Sequence, residues 1–146
     1  MSKIPIAFVE IKLFAHATED PNKVTEAVKQ ILPMSHTEVE FRATNLKGHY
    51  GNPITLLETK IKERKVIKDF IDSLFSRISV IDKENLSREI GLHVEKASLY
   101  LRLDKQAALC GEIKLCTGDP IRVRIRFRKR GIEEVLKICR EFGMLP

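Results

Sequence analysis

The chain contains no tryptophan, only two tyrosines and only three cysteines. Few aromatic rings leave little for a surface that reads bases by stacking. Cys110, Cys116 and Cys139 form no even framework, which argues against a disulfide-stapled secreted scaffold and for a reducing, cytoplasmic setting. No apolar run approaches the ~20 residues of a spanning helix, so no membrane role is expected. Met1 to Pro5 lacks the charged-then-apolar pattern of an export signal. Internal repeats, low-complexity tracts and linkers are also missing. The 146 residues, 43% hydrophobic and 32% charged, therefore read as one globular domain, 1–146, with room for a proper core.

Enzyme signatures are missing too. There is no phosphate-cradling loop, nucleophile elbow or dinucleotide fingerprint. His16, His36, His49 and His93 are scattered, and Cys110 and Cys116 have no matching second pair, so neither metal nor cofactor is expected. Asp104, Lys105 and His16 could in principle assemble a phosphodiesterase site, as any three polar residues could.

Positive charge is present in excess, and it is concentrated. The net charge is +6. Residues 99–131 alone carry nine basic groups against Asp104, Glu112 and Asp119, which accounts for the whole excess. A field acts on a partner where charges gather, so this stretch is more informative than the overall balance.

The hydrophobic spacing predicts the elements. Residues 6–15 alternate as a strand, with Val9, Ile11 and Leu13 against Glu10 and Lys12. Asp20-Pro21 starts a helix that carries Val24, Ala27, Val28, Ile31 and Leu32 and stops at Pro33. A strand is predicted over 37–46, with Val39, Phe41 and Ala43 inward and Glu38, Glu40 and Arg42 outward. The turn Lys47 to Pro53 leads to a third strand over 54–60. A long helix over 63–78 has the stripe Val66, Ile67, Phe70, Ile71, Leu74, Phe75 and Ile78. Asp82 would cap a short helix that Gly91 ends. Strands are predicted at 99–103, 111–116 and 121–128, with 104–109 as a connection. The last helix, 132–142, would bury Ile132, Val135, Leu136, Cys139 and Phe142. The order β-α-β-β-α-α-β-β-β-α implies an α+β fold: a mostly antiparallel sheet with helices on one face and a polar face left open.

Residues 121–128 hold the sharpest pattern. Ile121, Val123, Ile125 and Phe127 face one way; Arg122, Arg124, Arg126 and Arg128 face the other. Four guanidiniums at strand spacing form a row ~20 Å long, suited to following a phosphate backbone. Arg102 lies on the polar face of a neighbouring strand, and Lys105, Lys129 and Arg130 would extend the patch from strand ends. The competing reading is a solvated face paired across strands, for which Glu10, Glu38 and Glu40 are the available acids. His49, Tyr50 and Asn52, on the glycine-hinged loop, are secondary candidates for RNA contact. Only Tyr50 and Tyr100 are expected to offer open rings, with the seven phenylalanines mostly on apolar stripes.

Four segments carry a resemblance to a known family. They are Ala17-Thr18-Glu19-Asp20, Gly48-His49-Tyr50-Gly51-Asn52-Pro53-Ile54, Leu99 through Ala108 with its Asp104-Lys105-Gln106-Ala107-Ala108 motif, and Asp119-Pro120-Ile121-Arg122-Val123. In this order, across nearly the whole chain, they are similar to an archaeal family of RNA-binding proteins and predicted exosome subunits. The resemblance implies a fold like that of ribosomal protein L5, a cytoplasmic protein and an RNA partner, with association to the exosome or to ribosomal proteins. It brings no catalytic residues.

The sequence thus predicts a non-catalytic protein that grips RNA by its backbone, with weak sequence preference. The alternatives are an adaptor whose basic face meets an acidic protein and, behind it, a nuclease or phosphodiesterase. The open face would also suit an interface between two copies.

Overall fold

The computed structural model describes residues 5–32, 41–48, 50–116, 118–128 and 131–145. Six strands form one fully antiparallel sheet: β1 (Ile6–His16), β2 (Arg42–Lys47), β3 (Pro53–Ile61), β4 (Val94–Glu95), β5 (Ser98–Asp104) and β6 (Pro120–Phe127). Their spatial order is β2-β3-β1-β6-β5-β4. The first strand is therefore central, clamped between β3 and β6.

Six helices accompany the sheet: α1 (Pro21–Ile31), α2 (Arg64–Arg77), α3 (Val80–Arg88), α4 (Ile90–His93), α5 (Lys105–Leu109) and α6 (Ile132–Glu141). Alternation along the strands decides where they pack. Val9, Ile11 and Leu13 of β1, Leu99, Leu101 and Leu103 of β5, and Ile121, Val123, Ile125 and Phe127 of β6 are buried on one face. They share one core with Val28 and Ile31 of α1, Phe70 and Leu74 of α2, Leu86 of α3, Ala108 of α5 and Val135 and Cys139 of α6. Burying Phe70, Ile71 and Leu74 alone contributes roughly 6 kcal/mol of transfer free energy. The α+β class with one covered sheet face is as the alternation implies.

Local signals explain most boundaries. The Asp20 carboxylate accepts from the Asn22 N–H at 2.9 Å and Pro21 opens α1. Asp104 likewise caps α5, accepting from the N–H groups of Gln106 and Ala107. Five readings need correction. Ala43, expected inward, is exposed on β2, an edge strand with no buried residue. Residues 111–116 form no strand; Leu103 and Leu115 make a single bridge, because Asp104 turns the chain into α5 first. Ser79, rather than Asp82, caps α3; the Asp82 carboxylate instead accepts from the Leu115 N–H at 3.1 Å. Gly91 sits inside α4 instead of ending a helix. Ile132 is 47% exposed, because it opens α6 before the buried stripe begins. Val39, Glu38, Glu40 and Pro33 lie outside the described residues.

No helix, among the described residues, is long and apolar enough to cross a membrane.

Candidate nucleic-acid interface

Strand register sets out the open face in rows. Arg42, Glu58, Lys12, Arg122 and Arg102 stand side by side across β2, β3, β1, β6 and β5. The next row is Lys60, Glu10, Arg124 and Tyr100. Beyond it, Phe8 stands beside Arg126, which faces Ser98. Every one of these side chains has the parity opposite to the core.

The arginine ladder divides into members with different surroundings. Arg124 is pinned: its Nε donates to Ser98 Oγ at 3.1 Å and its Nη1 lies 3.9 Å from Glu10 Oε1. Its guanidinium is 5.5 Å from the Phe8 ring centroid and 5.8 Å from that of Tyr100, within cation–π range. Lys12 is shared between Glu10 and Glu58, at 3.7 and 3.6 Å. Those two carboxylates are thereby engaged. Arg102, Arg122, Arg126 and Arg128 have no carboxylate within 4.0 Å among the described residues. Arg102, Arg122 and Arg128 are exposed and Arg126 is half-buried. Arg128 stands just past the end of β6, its N–H donating to Pro5 O at 2.8 Å.

Arg102 and Arg122 are direct cross-strand partners. Like charges opposite one another on a sheet repel. Among the described residues no carboxylate within 4.0 Å relieves this repulsion, and Lys12 flanks the pair on the other side.

Lys105 does not extend this face. Its ammonium is buried and donates to Phe14 O at 2.5 Å, Asp119 Oδ2 at 2.7 Å and Glu19 Oε1 at 3.2 Å. His16 Nε2 lies 3.0 Å from the same Asp119 oxygen, and the His16 N–H donates to Glu19 Oε1. His16, Glu19 and Asp119 bring ligand atoms within 4.8 Å of one another, but Lys105 already supplies their cation. The corner ties the end of β1 to α5 and to the approach to β6. Its cause is burial: a lysine sealed in the interior needs carboxylates and a carbonyl around it. Asp104 is committed to capping α5, so it does not join His16 and Lys105 as a catalytic set.

The loop candidates separate similarly. Tyr50 is 91% exposed at the β2–β3 turn. Asn52 folds back on that turn: a Cβ placed on Gly48 would meet Asn52 Oδ1 at 2.6 Å, and Gly51 has φ +78. Gly51 is thus favoured by its backbone conformation, whereas a side chain at Gly48 would have to push the Asn52 amide aside. His49, Lys129 and Arg130 lie outside the described residues.

Two phenylalanines stand apart from the apolar stripes and belong to the open face. Phe8 and Phe14 are half-buried and share the parity of Glu10 and Lys12. The signal was present in β1 itself, where Phe8, Glu10, Lys12 and Phe14 fall at even positions. The Phe14 ring centroid is 5.9 Å from the Arg122 guanidinium, and Lys60 Nζ is 4.1 Å from that of Phe8.

Beside the Arg102–Arg122 pair lies a hollow of about 500 Å3. Glu10, Lys12, Tyr100 and Arg124 line it from the sheet, and Leu92, His93 and Glu95 line it from α4 and β4. His93 Nδ1 lies 3.2 Å from Tyr100 O. The cysteines take no part: burial pushes the Cys139 thiol up to about 12, and burial followed by the Asp104 charge raises that of Cys116.

Comparison with known proteins gives this chain a family. A family described as RNA binding matches residues 8–127. An RNA-binding protein of Pyrococcus abyssi is 37% identical over 140 residues, covering 92% of this chain and 91% of that one. An uncharacterized protein of Methanocaldococcus jannaschii is 31% identical, covering 77% of this chain and 78% of the other. The crystal structure of an Archaeoglobus fulgidus protein of family DUF54 superposes with a TM-score of 0.79 at 35% identity, over 94% of this chain and 99% of that one. A DUF54 protein from Sulfolobus solfataricus superposes at 0.73 with 27% identity, over 93% and 97%. A protein that carries the family's pattern through all of its central strands, from Phe8 to Phe127, is no distant cousin: this chain belongs to the RNA-binding family.

Proposed function

We propose that the protein binds RNA through the open face of its sheet, holding the phosphate backbone and performing no catalysis. The observation that carries this reading is the Arg102–Arg122 pair, two exposed guanidiniums in register with no carboxylate within 4.0 Å among the described residues. A phosphate placed between them relieves their repulsion and accepts bidentate, charge-assisted hydrogen bonds from both. Arg126 and Arg128 continue the track along β6, with Lys129 and Arg130 beyond them. Arg124 supports it as a pinned centre. Tyr50 and His49 are proposed as outlying contacts from the β2–β3 loop.

Backbone gripping has a measurable signature. If about four phosphates of a single strand are neutralised, log K falls with log salt at a slope of about −3. Fluorescence anisotropy with a labelled 12-nucleotide RNA, from 50 to 300 mM KCl, measures it. Arg102→Ser with Arg122→Ser should flatten the slope by about 1.4. A slope near zero, or one unmoved by the double substitution, overturns the reading. The absence of catalysis is tested by incubating the same RNA with the protein and Mg2+; intact RNA is the expected result. Delivery to the exosome or to ribosomal particles rests on the family resemblance, and co-purification before and after nuclease treatment tests it.

A further inference from the structure

The open face holds more than cations. Tyr100 is 39% exposed and Leu92 is 84% exposed, and both line the hollow next to Arg102 and Arg122. An exposed leucine and an exposed tyrosine on the walls of a cleft that also holds Arg102, Arg122 and Arg124 are not explained by phosphate contacts. Phosphates ask for nitrogen donors, and these side chains offer carbon surface. The hollow, about 500 Å3, falls within the range of clefts that take small ligands.

Tyr100 is also held in place. The Arg124 guanidinium is 5.8 Å from its ring centroid, and that arginine is itself anchored on Ser98 and Glu10. A ring fixed in advance loses little freedom when a flat partner stacks on it. On the far side of the cationic row, two residues further along β1 from Lys12, Phe14 offers a second half-buried ring beside Arg122. By strand geometry the positions that carry the two rings are about 17 Å apart, diagonally across the sheet, with Lys12 and Arg122 between them.

From this we infer that the RNA held here is single-stranded, with one unpaired base stacked on Tyr100 in the hollow beside Leu92 and another splayed toward Phe14, the intervening phosphates crossing Arg122 and Arg102. The inference rests on the proposed RNA-binding face and specifies its substrate. Rings carried at positions ~17 Å apart cannot receive two adjacent bases stacked on each other, so the strand must be opened out. A duplex keeps its base faces covered and offers neither ring a partner; it could use only the arginines.

Two RNAs test this at 150 mM KCl: a 12-nucleotide mixed-sequence single strand, and the blunt 12-base-pair duplex formed with its complement. The single strand should bind at least tenfold tighter. Tyr100→Leu should weaken the single strand roughly tenfold and leave the duplex nearly unchanged, while Tyr100→Phe should retain the preference. With Tyr50→Phe, Tyr100 becomes the sole tyrosine of a chain without tryptophan, and the single strand, but not the duplex, should quench its emission. Equal affinities with a neutral Tyr100→Leu overturn the stacking site. If the steep salt slope persists in that case, the phosphate-binding reading stands alone. If neither RNA binds at 50 mM KCl, both readings fall.

Discussion

Lys105 and Arg122 began as equivalent members of one basic stretch, yet the fold treats them in opposite ways. Lys105 is sealed at a corner with Glu19, Asp119 and the Phe14 carbonyl around its ammonium. Arg122 stands in the open with Arg102 on one side and Lys12 on the other. The first holds the molecule together. The second stores repulsion that an anion can relieve. A cation's role here follows from the carboxylates near it in space, which neighbours in the chain do not reveal.

The largest test of this contrast is Lys105→Met, which keeps the stem and removes the charge. Breaking a buried pair costs 3–5 kcal/mol, and because Glu19 and Asp119 retain some water the low end applies, about 3 kcal/mol. The melting temperature should drop by roughly 6–12 °C in a circular-dichroism scan, with RNA affinity per folded molecule unchanged. An unaltered melt would erase the distinction between the corner and the face. Next comes the Arg102→Ser, Arg122→Ser double variant. It should lose about thirtyfold in RNA affinity at 100 mM salt, roughly 2 kcal/mol, while its urea midpoint stays the same or rises as repulsion is removed. Loss of stability instead would mark these arginines as structural.

Arg124→Ser sharpens the middle ground. This arginine has both a hydrogen bond to Ser98 and a place on the face. It should lose about 1 kcal/mol of stability and about threefold in affinity, read from the same two measurements. The smallest effect belongs to the uncharged core. The Cys139 thiol is raised to about 12 by burial, so above pH 9 the unfolded chain loses a proton that the folded one keeps. The stability this proton supplies is complete below pH 9 and is lost as pH rises toward 12. Compared with Cys139→Ala, the wild type should give up somewhat under 1 kcal/mol between pH 8 and 9.5 in urea unfolding.

Regular alternation made the sheet legible. Ile121 to Phe127 and Leu99 to Leu103 announced both their strands and their buried face, and Asp20-Pro21 announced α1. Segment 111–116 misled because a short apolar alternation looks the same whether or not a full partner strand is available; α5 intervenes, and contact with β5 shrinks to one bridge at Leu115, made through the Lys114 carbonyl and the Cys116 N–H. For the site, the parity of the arginines was readable, and so was the parity of Phe8 and Phe14, once β1 is followed at every second residue. The fate of Lys105 was not readable. It depends on Glu19 and Asp119, which lie 86 and 14 positions away in the chain and meet it only in the folded protein.

The clamping of β1 between β3 and β6 has a consequence for assembly. Ile6 pairs with Phe127 and Val9 with both Ile61 and Ile125, so the middle of the sheet joins segments made early and late. Such long loops close slowly. A chain still emerging from the ribosome lacks β6, and with it Arg122 and its neighbours. The surface that would meet RNA therefore comes into being only once β6 has been made and has paired with β1 and β5.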